Sequence, residues 1–133
     1  MISLLLDTHA VIWHLHADPR LSSRARQEID GINERGEQVA ISSISLVETI
    51  YLEEKGRIPA GTFAGILALL DEASPLLIEV PVNREIIKSL LVVPRAHVPD
   101  LPDRIIAATA LHLGVPLASR DRQIQSSQIR TLW

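Results

Sequence analysis

Four acidic residues, Asp7, Glu48, Asp103 and Asp121, each stand at or close to the end of an apolar segment. Gathered in one place, four carboxylates would repel one another. Their pKa values would be forced apart, or a cation would have to neutralise them. Hard divalent ions take oxygen ligands, and magnesium or manganese suits a few carboxylates together with water. The chemistry such a cluster supports is hydrolysis at phosphorus, because the cation meets phosphate oxygens and lowers the pKa of a bound water. A site of that kind works despite a net charge of −3, which is not the strongly basic balance of many nucleic-acid binders.

Taken singly, each acid has a competing structural role. Asp103 opens a helix by pattern, where aspartate is a preferred N-cap and suits the helix dipole. Asp7 ends an apolar run, and aspartate often turns the chain there. Asp121 fits a loop. Glu48 shares a helix face with Ile44, Tyr51 and Leu52, where a boundary glutamate could pair with an arginine. The metal reading rests on the joint placement of the four.

That placement depends on an alternation of strands and helices. Ile2 to Leu6 is a short continuous apolar run, the mark of a strand covered on both faces. A helix follows from Thr8, a candidate cap, to about Leu15, and Asp18-Pro19-Arg20 breaks the chain. Ser22 or Ser23 caps a second helix that Gly36 stops. Gln38 to Ile41 reads as a strand, Ile44 to Lys55 as a helix and Thr62 to Ala73 as a strongly apolar helix. Leu76 to Val80 is a third strand, and Asn83 caps a helix to about Val92. A proline-bearing loop, 94–102, leads to a helix over Asp103–Leu113 that ends at Gly114. Leu117 to Ser119 is a fourth strand, a short helical stretch follows Asp121, and Ile129 to Leu132 reads as a fifth, edge strand. The pattern predicts one α/β domain over residues 1–133, with helices on both faces of a parallel sheet. In such sheets ligands bind beyond the carboxyl ends of the strands. Asp7, Asp121 and Glu48 all fall near that edge.

The chain has 133 residues, 47% of them hydrophobic, enough for one core. No apolar run is long enough for a membrane span, and the N-terminal run breaks at Asp7 without a preceding basic region. No cysteine is present, which removes disulfides and thiolate metal sites and fits a cytoplasmic location. The basic residues are 11 arginines against two lysines, Lys55 and Lys88. Arginine suits bidentate phosphate contacts, although coding bias gives the same count. Arg120 and Arg122 flank Asp121 and are the candidates for substrate phosphate. Arg104 beside Asp103 is expected to pair with an acid. The five histidines share no ligand spacing beyond a weak His14/His16 pair, which argues against zinc. His9, Trp13 and Trp133 are read mainly as packing residues.

Four stretches, LLDTHAVIW at 5–13, SSISLVETIYLEEKGRI at 42–58, PDLPDRIIAATALHLGVPLASRD at 99–121 and TLW at 131–133, resemble the PIN-domain nucleases. The likeness is specifically to the VapC toxins of type II toxin–antitoxin pairs, and it spans nearly the whole chain. It implies a three-layer α/β/α sandwich around a parallel sheet of four or five strands. It implies that Asp7, Glu48, Asp103 and Asp121 form the acidic quartet that holds magnesium or manganese. Ser119 stands where the family usually has threonine, and Thr8 is a supporting residue. Asp100 matches a further acid of the family's motif, although Leu101 replaces the usual proline and Pro102 follows it. The resemblance also implies RNA as substrate, 3′-hydroxyl and 5′-phosphate products, a homodimer, and a toxin–antitoxin hetero-oligomer. The cognate antitoxin would insert a basic residue into the acidic pocket.

Three other readings compete. A non-catalytic RNA- or protein-binding module of the same fold would lack one of the acids, and none is missing. A phosphoacceptor receiver needs a lysine after a late strand, where neither Lys55 nor Lys88 lies. A haloacid-dehalogenase-type phosphatase wants a second aspartate two residues after the first, and position 9 is histidine.

Overall fold

Ile2–Leu6 forms the central strand, β1, of a five-stranded sheet in the computed structural model, which describes residues 1–133. Leu4, Leu5 and Leu6 are all fully buried. Successive side chains of a strand point to opposite faces, so both faces of the sheet must be covered. Leu4 and Leu6 belong to one core cluster and Leu5 to another.

The first cluster is completed by α1 (Thr8–Leu15), α2 (Ser23–Glu34) and α4 (Thr62–Leu70), through Val11, Ile29 and Ile66 among others. The second is completed by α5 (Arg84–Ser89), α6 (Leu101–Leu113) and α7 (Arg122–Gln125), through Ile86, Ile106 and Ile124. Between them, α3 (Ser43–Glu54) packs Leu46 and Leu52 on the first cluster and Ile44 on the second. The result is the expected helix–sheet–helix sandwich.

The remaining strands are β2 (Gln38–Ser42), β3 (Leu77–Val80), β4 (Leu117–Ala118) and β5 (Thr131–Leu132). All pairings are parallel, in the order β3-β2-β1-β4-β5. The chain builds outward from β1 to β3 and then returns to the other side of β1. The order therefore reverses between β1 and β4, and a crevice opens beyond their carboxyl ends. Leu6 pairs with Ala118, which brings Asp7 beside Ser119, two residues before Asp121.

Several helix starts and ends differ from the sequence reading. Asp7, not Thr8, caps α1: its Oδ1 accepts from the Ala10 N–H at 2.8 Å. Asp100, not Asp103, caps α6, accepting from the Asp103 N–H at 3.0 Å, and Pro102 fits the first turn because its missing N–H would have had no partner there. The helix capped by Asn83 ends at Ser89 and tightens into a 3-10 turn, Leu90–Val92. Helix α4 ends at Leu70 rather than Ala73, and β5 covers only Thr131–Leu132. No helix is long and apolar enough to cross a membrane.

Helix α1 closes with the chain turned left-handed at Ala17, at φ 50°. The Ala17 N–H donates to the His14 carbonyl at 3.2 Å and the Asp18 N–H to the Trp13 carbonyl at 2.8 Å. This is the helix ending usually made by glycine, because a Cβ is strained in that conformation. The strain of about 1–2 kcal/mol exceeds the extra unfolded-state entropy of glycine, about 0.4–1 kcal/mol. Ala17→Gly is therefore expected to stabilise the fold by up to about 1 kcal/mol. Urea denaturation checks it, and a lower midpoint would refute it.

Candidate functional site

At the crevice beyond β1 and β4 lies a pocket of about 350 Å³. Asp7, Glu48, Asp100, Asp103 and Asp121 line it, together with Thr8, His9, Trp13 and Arg120. All four residues of the expected quartet share this pocket, and Asp100 joins them. Ser119 is buried beneath it, and its Oγ accepts from the Asp121 N–H at 3.1 Å. Arg122 is exposed and lies outside the pocket lining, so of the two flanking arginines only Arg120 is brought in.

Each acid is held by its local structure. Asp7 caps α1, and its own N–H is tied to the Ala118 carbonyl at 3.1 Å. Asp121 caps α7 through the Gln123 and Ile124 N–H groups, at 2.8 and 3.1 Å. Asp103 sits in the first turn of α6, just inside the Asp100 cap. Glu48 has no helix end to hold it. The Thr8 hydroxyl, reaching across from α1, donates to Glu48 Oε1 at 2.5 Å. That donation uses the only Thr8 proton, so its 3.0 Å contact with Ser45 must run from the Ser45 hydroxyl to Thr8.

The carboxylates resist ionising together. Burial raises the Asp7 pKa, which the Ser119 hydroxyl, the Ala10 N–H and His9 partly offset and Asp121 raises further. Burial also raises Glu48, against the Thr8 hydrogen bond, with Asp100 and Asp7 adding repulsion. Asp103 moves to about 7, through burial first and then the charges of Asp100, Asp121, Glu48 and Asp7.

The pocket also has an aromatic and a cationic member, Trp13 and Arg120. Trp13 is almost fully buried, as its sequence pattern implies, yet its ring also anchors two guanidinium groups. The carbon centres of Arg120 and Arg20 lie 4.7 and 5.2 Å from its centroid. His9 and Trp133 pack against it with tilted rings, their centroids 5.5 and 5.8 Å away. The role of Arg20 is not visible in the sequence, because the fold alone brings it to Trp13. Arg104 does not pair with an acid. It donates to the Leu90 and Val93 carbonyls at 2.7 and 2.8 Å, satisfying acceptors around the 3-10 turn.

The donor set is oxygen-only, and its repulsion is what a hard divalent cation would relieve, so its chemistry fits magnesium or manganese. No three Asp, Glu or His side chains are yet arranged to grip a single ion, so the fit lies in donor chemistry and not in a preformed cage.

Asp103 generates a pH prediction. Its folded pKa, about 7, lies above its ordinary value of 3.8. The folded chain therefore holds this proton more tightly than the unfolded one, and stability falls as pH rises between those values. Carbon-detected NMR titration of the metal-free chain should place Asp103 near 7. Asp121→Asn and Asp100→Asn should each lower it, and an Asp103 that titrates in the ordinary carboxylate range would contradict this account.

Comparison with known proteins agrees with this architecture. The PIN domain model matches residues 4–127. Ribonuclease VapC22 from Mycobacterium tuberculosis is 29% identical over 126 residues, covering 95% of this chain and 92% of that protein. A chain in the crystal structure of VapBC2 from Rickettsia felis, bound to a DNA fragment from its promoter, superposes with a TM-score of 0.73. It is 16% identical and covers 99% of this chain and 98% of its own length. A chain of DNA-bound VapBC from Salmonella typhimurium also gives 0.73, at 22% identity over 99% of this chain and 98% of its own. With the family model spanning nearly the full length, and with the sheet order and acidic crevice described above, this chain belongs to the PIN-domain family.

Proposed function

We propose that this chain is a magnesium- or manganese-dependent endoribonuclease and the toxin of a toxin–antitoxin pair. The observation that carries the reading is the meeting of Asp7, Glu48, Asp103 and Asp121 in one pocket of a PIN-family chain. The Mycobacterium tuberculosis relative, a ribonuclease by name, supports the activity. The VapBC structures and a toxin–antitoxin complex from Klebsiella pneumoniae support the partner.

In this reading Asp7 and Asp121 would hold the ion directly, Asp103 would share it or hold a second one, and Glu48 would act directly or through water. When bound, the ion supplies an activated water and positive charge against the phosphate oxygens. The chain's own residues do the rest. Thr8 fixes the Glu48 carboxylate, and the helix caps fix Asp7 and Asp121. Arg120, held over Trp13, faces the incoming phosphodiester. Water adds to phosphorus and the bond to the 3′ oxygen breaks, which leaves a 3′-hydroxyl and a 5′-phosphate.

Asp7→Asn is expected to reduce cleavage at least about 100-fold, since losing a ligand that holds transition-state charge costs several kcal/mol. EDTA should abolish cleavage, and added magnesium or manganese should restore it. Sequencing of cleaved ends after induction reads the activity. Identical end profiles for wild type and Asp7→Asn, or cyclic 2′,3′-phosphate ends that survive the substitution, would sink the reading.

The partner reading has its own check. Co-expression with the product of the adjacent upstream reading frame should suppress toxicity, and the two should co-purify. Failure to form a complex counts against the antitoxin. A homodimer belongs to the same proposal, with exposed Val47, Ile50 and Tyr51 of α3 available for the contact. Light scattering that shows a monomer throughout would contradict it.

A further inference from the structure

A second cavity, of about 260 Å³, adjoins the acidic pocket and shares His9 and Trp13 with it. Its character is different. Arg20, Arg57 and His16 supply cationic or protonatable groups, and Ile12, Leu52 and Ile58 form an apolar floor. Asp18 is its one acid, and it is already committed to Arg20 through a 2.7 Å ion pair. Arg57 makes no ion pair and no side-chain hydrogen bond, and the same is true of Arg120 in the acidic pocket.

Arg57 is free in its side chain but fixed in its backbone. It follows Gly56, which turns left-handed at φ 68° to end α3. The Gly56 N–H donates to the Glu53 carbonyl at 3.0 Å and the Arg57 N–H to the Leu52 carbonyl at 2.9 Å. This paired helix ending sets where the guanidinium emerges. Arg20 is set in a different way, by Trp13 and by Asp18. Two guanidiniums on pinned backbones beside an apolar floor suit a phosphate with its sugar and base.

We propose that this cavity is the binding subsite for the nucleotide adjoining the scissile phosphodiester, so that a single RNA strand runs from the acidic pocket over Trp13 toward Arg57. The inference rests on the nuclease reading above, because a strand with one phosphodiester at the acids must place its neighbour in the adjoining space. It assigns the strand a direction of exit across the protein, toward the adjoining cavity where Arg20 and Arg57 stand. An acidic peptide is the competing occupant. It lacks the sugar and base that the apolar floor would cover.

The test separates the subsite from the chemistry. Asp7→Asn protein with magnesium present is titrated with a fluorescein-labelled uridine dodecamer across a range of salt concentrations. Adding Arg20→Ala and Arg57→Ala together should weaken binding about tenfold at low salt, and should reduce the slope of log affinity against log salt by about 0.7, the value for the one phosphate the two guanidiniums meet. Adding Arg24→Ala instead, on α2 outside both cavities, should change neither quantity. Equal losses from Arg24→Ala and from the Arg20/Arg57 pair would overturn the subsite, and so would a glutamate-rich peptide that responds to the pair when the RNA does not. If the wild-type chain cleaves no RNA while the dodecamer still depends on Arg20 and Arg57, the nuclease reading fails and the strand-binding subsite stands.

Discussion

Negative charge gathered at one edge of a sheet needs a counterweight, and in this protein helix N-termini provide it. Asp7, Asp100 and Asp121 are the N-caps of α1, α6 and α7, and Asp103 lies in the first turn of α6. Each cap oxygen accepts backbone N–H groups that would otherwise lack partners, and each carboxylate sits at the positive end of a helix dipole. The two roles weighed against each other for these aspartates, capping a helix and building a charged site, are therefore one arrangement. The same dipoles that make the caps favourable make the crowding of carboxylates tolerable.

The counterweight is incomplete, and the remainder is informative. Each helix end offsets only about 0.3–1 kcal/mol of unfavourable charge at an exposed site. Asp103 bears what is left over, surrounded by four other acids and held near a pKa of 7. Glu48 is the member without a helix end, and a hydroxyl from another helix takes over that task. Removing the Thr8 hydroxyl and removing a cap are thus different perturbations. The first frees a side chain to move, and the second also weakens a helix start.

Topology decides where this charge can meet. The order β3-β2-β1-β4-β5 opens a crevice between the ends of β1 and β4, and short connections leave little choice of where Asp7 and Asp121 project. The crevice carries both signs of charge. Its lining joins five carboxylates to Trp13 and to the Arg120 guanidinium held over the indole. Trp13 links the core to the site: its indole is buried with the first cluster, while its ring still holds Arg120 at the pocket and Arg20 at the neighbouring cavity.

Much of this was legible in the sequence, because it follows from local rules. The apolar run before Asp7 required a strand covered on both faces. The serine before α2, the asparagine before α5 and the glycine after α6 marked helix limits, and the spacing of four acids pointed to one edge of a parallel sheet. What the sequence left open was a choice between neighbouring caps in one place, and elsewhere contacts between residues further apart along the chain. Asp100 rather than Asp103 became the cap because the helix could begin at Leu101 and accept Pro102 in its first turn. Arg104 turned to backbone carbonyls because the 3-10 turn leaves acceptors within its reach. Thr8 met Glu48, and Arg20 met Trp13, across 40 and 7 positions of chain. Caps and periodicity are short-range and can be read from neighbours, whereas the pairing of one helix's hydroxyl with another's carboxylate exists only once the sheet has set the helices side by side.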